Sequence, residues 1–271
     1  MAQLTPSQFA RTSYSILGYT LPGILILFLL IIDHDTSVYY QNSEKFLISH
    51  KILTSLKSLS NISFSFTEVA IFSLFILFCY ILGLFISGLS SLFIERIFVK
   101  NVLKFPSVNL FSKQKYQSGI FKNYRKPFDR RLQKQIIYIL KKKSNLKKIQ
   151  QVDYYWMAHT VIFKEYSEIQ SRIDHWVTLY GLNRNLSMSI ILYVFFKHLI
   201  IWINPNLELI EVSNIVSIVY LVIAGTLFWN YLKLFKRNAI DLFMNLLVLK
   251  EKTSNRELEI ISNKETYSDK K

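Results

Sequence analysis

The chain has a single cysteine, Cys79, in 271 residues, so no intramolecular disulfide can form. Its seven glycines leave little material for a phosphate-cradling loop, and neither G-x-x-x-x-G-K-[ST] nor G-x-G-x-x-G occurs. H-E-x-x-H, G-x-S-x-G and C-x-x-C are missing too. These absences remove the commonest nucleotide-binding, zinc-hydrolase, serine-hydrolase and thiol-redox chemistries. No catalytic residue, metal ligand or cofactor is expected, and the chain reads as non-enzymatic. Acidic residues are also scarce: 18 against 33 Lys+Arg, for a net charge of +15, although 51% of the chain is hydrophobic. Apolar and basic residues must therefore be segregated along the sequence.

They are. Tyr14 to Ile32 and Val69 to Ile94 carry no charge at all. Leu186 to Ile203 is apolar except for Lys197-His198, and Val212 to Leu232 is uncharged. About 20 apolar residues are enough to cross a bilayer core. The expected fold is an all-α integral membrane protein, with four transmembrane helices in two pairs flanking a basic helical cytoplasmic domain. The expected divisions are an N-terminal pair over 1–97 (spans 14–32 and 69–94), a cytoplasmic domain over 98–185, a C-terminal pair over 186–232 (spans 186–203 and 212–232) and a tail over 233–271. A cleaved leader is a poorer account of the first run, because Asp33-His34-Asp35-Thr36 is not a small-residue cleavage site. Pro22-Gly23 predicts a kink in the first span, tolerated where neighbours satisfy the freed carbonyl.

Orientation follows the Lys/Arg bias. Arg96 to Asn185 holds 19 of the 33 Lys+Arg against five acids, and the segment from Lys233 holds nine against six. Both belong inside, with Arg11; Asp33–Glu68 and Asn204–Glu211 belong outside. Richness in Ile, Lys, Asn, Phe and Tyr suggests an AT-rich bacterial genome. The expected location is thus a bacterial inner membrane, multi-pass, with both termini cytoplasmic.

Within the basic block, Val99 to Lys126 reads as irregular, with Pro106 and Gly119 as breakers. Phe128, Leu132, Ile136 and Leu140 recur at i+4 and predict a helix. Tyr155, His159, Ile162, Tyr166, Ile169, Ile173, Trp176 and Tyr180 then keep a 4,3,4,3 rhythm. That is a heptad seam, and it asks for a partner helix, either the Phe128–Leu140 helix of this chain or the same helix in another copy. The rhythm continues through Asn183, Ser187, Ile190 and Val194 to Lys197, which predicts one long helix entering the membrane with Gly181 as a hinge. From Thr253 onward the composition reads as disordered.

Several residues are singled out. Gly83, Ser87 and Ser91 lie at i, i+4, i+8 and form a small-residue face for helix contact, within the chain or between subunits. Lys197 and His198 are ionisable groups inside a span, a functional hypothesis by default, weighed against simple snorkelling. Lys141, Lys142, Lys143, Lys147 and Lys148 form a cluster suited to anionic lipid, at about 1 kcal/mol per charge near the surface. Nucleic acid is a poorer match, since no nucleic-acid fold surrounds the cluster. Asp33-His34-Asp35 reads as a polar helix end. His159, Glu165, Glu168, Asp174 and His175 lie on one predicted helix and read as a solvated face. A lipid-modifying enzyme would need such groups to converge.

The expected partners are the lipid bilayer, further copies of this chain and a soluble protein. The expected function is an oligomeric channel, pore or membrane-perturbing effector, as in a bacterial antiviral defence module. The alternative is a membrane anchor or sensor that recruits a soluble partner through its basic domain.

Overall fold

A computed structural model describes residues 16–30, 66–113, 119–144, 153–165, 167–203 and 210–268. Among these every regular element is helical. α1 spans Ile16–Leu30. α2, Phe66–Ser90, continues as a π-helix over Ser91–Leu103. Three short or medium helices follow: α3 Pro106–Leu110, α4 Lys122–Arg125 and α5 Arg130–Ser144. α6 spans Asp153–Glu165, α7 Ser167–Ile203 and α8 Ile210–Ser268.

Three helical stretches are long and apolar enough to cross a membrane: Val69–Leu110, Ile169–Ile203 and Asn214–Val248. The apolar helix Ile16–Leu30 is shorter. The chain divides into two compact units. An apolar unit comprises residues 15–91 and 181–228; a basic unit comprises residues 1–14, 92–180 and 229–271. These boundaries fall inside α2, α7 and α8, so each of the three helices contributes to both units.

In the apolar unit, α1 and α2 meet backbone to backbone. A Cβ on Gly23 would overlap the carbonyl of Cys79, and one on Gly83 would overlap the carbonyl of Tyr19. Only glycine permits that approach. Most of the remaining α2 surface is exposed and apolar, with Ile71, Phe72 and Leu74 all at 60% exposure or more.

The basic unit is built on a water-type core. Asp129 caps α5, its carboxylate accepting from the Arg131 N–H at 3.3 Å. α5 then buries Ile136, Ile139 and Leu140, the stripe foretold by the i+4 spacing. α6 buries Tyr154, Ala158 and Ile162, and α7 buries Ile173. α8 closes the cluster with Ala239, Leu242, Phe243 and Leu246 at i, i+3, i+4, i+7. Phe111 sits among them, edge-on to Tyr154 at 4.8 Å and to Phe243 at 5.0 Å between ring centroids.

Three expectations change. The helix after Val99 does not end there but runs to Leu103 in π winding, burying Ile94, Val99 and Leu103 at spacings of five and four. Those spacings suit the wider π turn better than 3.6 residues. The residues from Lys233 do not form a mere tail, because they supply one side of the core. Helix continues to Ser268, past Thr253 where disorder was expected. The stretch is polar and charged but holds no Gly or Pro, and three of its residues are Glu, a good helix former.

Candidate functional site

The most developed polar site is where the π-helix ends. Lys104 takes a positive φ of 62° and turns the chain out of the helix. The last carbonyls would be orphaned there, and three side chains take them up. Arg125 donates to the Val102 carbonyl at 3.0 Å. Asn109 donates to Leu103 at 2.9 Å and to Lys104 at 3.2 Å, and the Tyr124 hydroxyl donates to Lys104 at 3.2 Å. Burial, with Glu95 as the second cause, pushes the Tyr124 phenol well up. Tyr124 therefore stays a neutral donor.

Beside this cap lies a cavity of about 330 Å³, lined by Asn123, Tyr124, Trp229, Leu232, Lys233 and Lys236. The last four lie at i, i+3, i+4, i+7 and so share one face of α8. Phe121 packs on Trp229 with ring centroids 5.9 Å apart. The Lys236 ammonium donates to the Asn123 carbonyl and, at 3.1 Å, to the Lys126 carbonyl. Burial, and secondly the charge of Lys126, lowers its pKa to about 8.

A second polar cluster lies inside the apolar unit. Pro22 has no N–H to give to the Gly18 carbonyl one turn back. The Asn185 amide reaches that carbonyl instead, at 3.4 Å. Ser189 donates to the Pro22 carbonyl at 3.2 Å, Ser90 donates to Asn185 Oδ1 at 2.6 Å, and Ser187 donates to the Ala224 carbonyl at 2.9 Å. Asn185, Ser90, Ser187 and Ser189 are all buried. Groups of this kind hold membrane helices together.

Comparison with known proteins adds no name. No family model, no curated protein and no solved structure matches the chain.

The seam residues divide. Ile162 and Ile173 are fully buried, and Ile169 and Tyr155 pack against the same core. The buried line on α6 is Tyr154, Ala158 and Ile162, so Tyr155 and His159 flank it. Tyr155 accepts from the Asn238 amide at 3.0 Å, and His159 stacks on Phe163 at 3.7 Å. Burial lowers the pKa of His159, opposed by Asp174. Trp176 lies under the Arg237 guanidinium at 4.9 Å, and Tyr180 packs on Tyr231 and Phe235. The partners of the seam are α5 and α8 of the same chain. Tyr166 lies outside the described residues. Helix is described on both sides of Tyr166, as α6 and α7, and α7 passes through Gly181 without a break.

On the small-residue face, Gly83 abuts the Tyr19 backbone. Ser87 offers its carbonyl to Ser90 at 2.9 Å, and Ser91 opens the π-helix. Lys197 lies half-buried with its ammonium 5.9 Å from the Tyr193 ring, and His198 is exposed. Lys141 and Lys142 are exposed on α5. Lys143 lies on the same helix with its side chain outside the description, and Lys147 and Lys148 lie outside the described residues, as does Asp33-His34-Asp35. No three His, Cys, Asp or Glu converge among the described residues as a metal ion would need. Arg172 donates to Asn245 at 2.8 Å.

Sequence reasoning missed Asn109, Tyr124, Asn185 and Lys236. A proline inside a span demands a substitute donor, and Asn185 with Ser189 were polar groups at the edge of a later apolar run. That signal was available. Nothing local marks Tyr124 as the partner of a carbonyl 20 residues away.

Proposed function

We propose that this chain is a non-enzymatic, multi-pass protein of a cell membrane, a platform that holds its basic helical unit at the cytoplasmic face to recruit a soluble partner. One observation carries the reading. The helices of the apolar unit are tied together by glycine contacts and by serine and asparagine hydrogen bonds, while the basic unit presents exposed cations such as Arg130, Arg131, Lys141 and Lys142. A bundle tied in this way serves as an anchor, and an exposed cationic helix attracts acidic surfaces. The Lys/Arg asymmetry favours four spans with both termini inside. Reporter fusions after residues 50, 120 and 260 should read outside, inside and inside. Affinity capture of the intact protein should recover one stoichiometric soluble partner, lost on charge reversal at Arg130, Arg131, Lys141 and Lys142. Correct topology with no such partner would sink recruitment.

A second reading is supported by Lys197, an ammonium on a span and half-buried against Tyr193. In that reading several copies assemble into a channel or membrane-perturbing pore lined by Lys197 and His198. Purified protein in liposomes would then conduct, and Lys197→Leu would change the conductance. Tight vesicles under every stimulus would remove this reading.

A further inference from the structure

We propose that the cavity between α4 and the Trp229–Lys236 face of α8 binds a phosphate-bearing anion, with Lys233 and Lys236 as its cationic ligands and the Trp229 ring as one wall. The shared chemistry is a phosphoryl group. Its source is either a lipid headgroup or a soluble phosphate.

Size is the first reason. About 330 Å³ lies at the lower end of the small-ligand range, which runs from about 300 to 1,000 Å³. Charge is the second. Lys126, Lys233 and Lys236 gather there, and among the described residues no carboxylate pairs with any of them. Lys236 is held inward by two neutral carbonyls, those of Asn123 and Lys126. An ammonium has three donor hydrogens, so one remains for a ligand. Burial and the nearby Lys126 already disfavour the charged form of Lys236. An anion supplies the opposite charge that reverses both effects, and charge-assisted bonds to phosphate are the stronger kind.

Position is the third reason. Trp229 lies in the last turn of the apolar run that ends at Leu232, and Lys233 is the first charge after it. Tryptophan and then lysine in that order mark the level of the headgroups. Lys236 lies four residues beyond the proposed span. Asn123 and Tyr124 close the other side, and Tyr124 is fixed by its bond to Lys104. The site is distinct from the lysine cluster on α5.

The headgroup source rests on the membrane placement proposed above. Topology fusions test that placement separately, so a correctly inserted protein that binds no phosphate loses this site alone. The measurement is native mass spectrometry of the full-length protein in detergent, titrated with phosphatidylglycerol, phosphatidylcholine or inorganic phosphate. Phosphatidylglycerol should bind at least about tenfold more tightly than phosphatidylcholine. The double variant Lys233→Gln/Lys236→Gln should lose that preference, while Lys134→Gln, which removes an exposed charge on α5, keeps it. Asn123→Trp, which fills the cavity and retains the backbone acceptor, should lose it as well, with an unchanged gel-filtration profile. Displacement of the lipid by millimolar inorganic phosphate would identify a soluble anion as sufficient; resistance to displacement would identify the headgroup. Equal binding of the two lipids, loss of preference in Lys134→Gln, or an intact preference in Asn123→Trp would each overturn the proposal.

Discussion

The two units of this chain are both helical, yet they are held together by opposite means. The basic unit packs bulky apolar side chains, with Phe111, Phe243, Leu242 and Ile136 meeting in one cluster. The apolar unit brings backbones together at Gly23 and Gly83 and ties them with Ser90, Asn185 and Ser189. Solvent explains the difference. In water, burying apolar surface is the dominant favourable term. In lipid, an apolar side chain gains nothing by leaving the solvent, so close backbone packing and hydrogen bonds carry association. The outer surfaces follow the same rule. Ile71, Phe72 and Leu74 face outward in one unit, and Lys141 and Lys142 in the other.

Substitutions should separate the two modes. The largest effect is expected at the glycines. Gly83→Leu or Gly23→Leu drives a side chain into a carbonyl that cannot yield, so no monodisperse protein should survive gel filtration in detergent. Gly88→Leu is the internal contrast, since a Cβ there meets nothing within 4 Å and the protein should be recovered normally. Bulk in the apolar unit is thus tolerated only off the contact face.

Next comes the core of the basic unit. Phe243→Ala removes a fully buried ring and should lower the stability of that unit by about 3–5 kcal/mol. The basic unit should become protease-sensitive while α1 and α2 remain protected. Simultaneous loss of protection in both units would show that they do not obey separate rules.

Asn185→Ala should act more gently, by about 0.6 to 1.7 kcal/mol, the range of hydrogen bonds between membrane helices. Its effect should be confined to the apolar unit, read as a lower detergent-resistant melting temperature. A fall as large as that of Phe243→Ala would mean that polar contacts dominate there far more than the comparison allows.

The smallest effect concerns pH. Burial lowers the pKa of His159, and Asp174 partly offsets it. The neutral ring is thus the form the fold prefers. Its contribution is complete above the unfolded value of about 6.5 and is lost as pH falls through the lower folded value. Acidification below about pH 6.5 should therefore loosen the basic unit, and His159→Phe should flatten that dependence. An unchanged slope in His159→Phe would remove His159 as the cause.

Periodicity and charge segregation made the three long apolar helices, the α5 stripe and the all-helical character legible, because each depends on residues close in sequence. The i+4 repeat of Phe128, Leu132, Ile136 and Leu140 is a local property of a helix facing a core. The seam was legible as a request for a partner, and the nearby Phe128–Leu140 helix was one candidate, but α8 was not legible as a partner because it lies far from the seam along the chain. Lys236 shows the same limit: its two carbonyl acceptors are more than 100 residues away. The sequence by itself determined which stretches avoid water and which carry charge, because transfer free energy is a sum over residues. Only the tertiary structure decided that residues after Lys233 complete a core, that Asn185 replaces the donor missing at Pro22, and that Lys236 and Tyr124 line one cavity. Such pairings are choices among many chemically equivalent partners, and only the packing of the whole chain removes the alternatives.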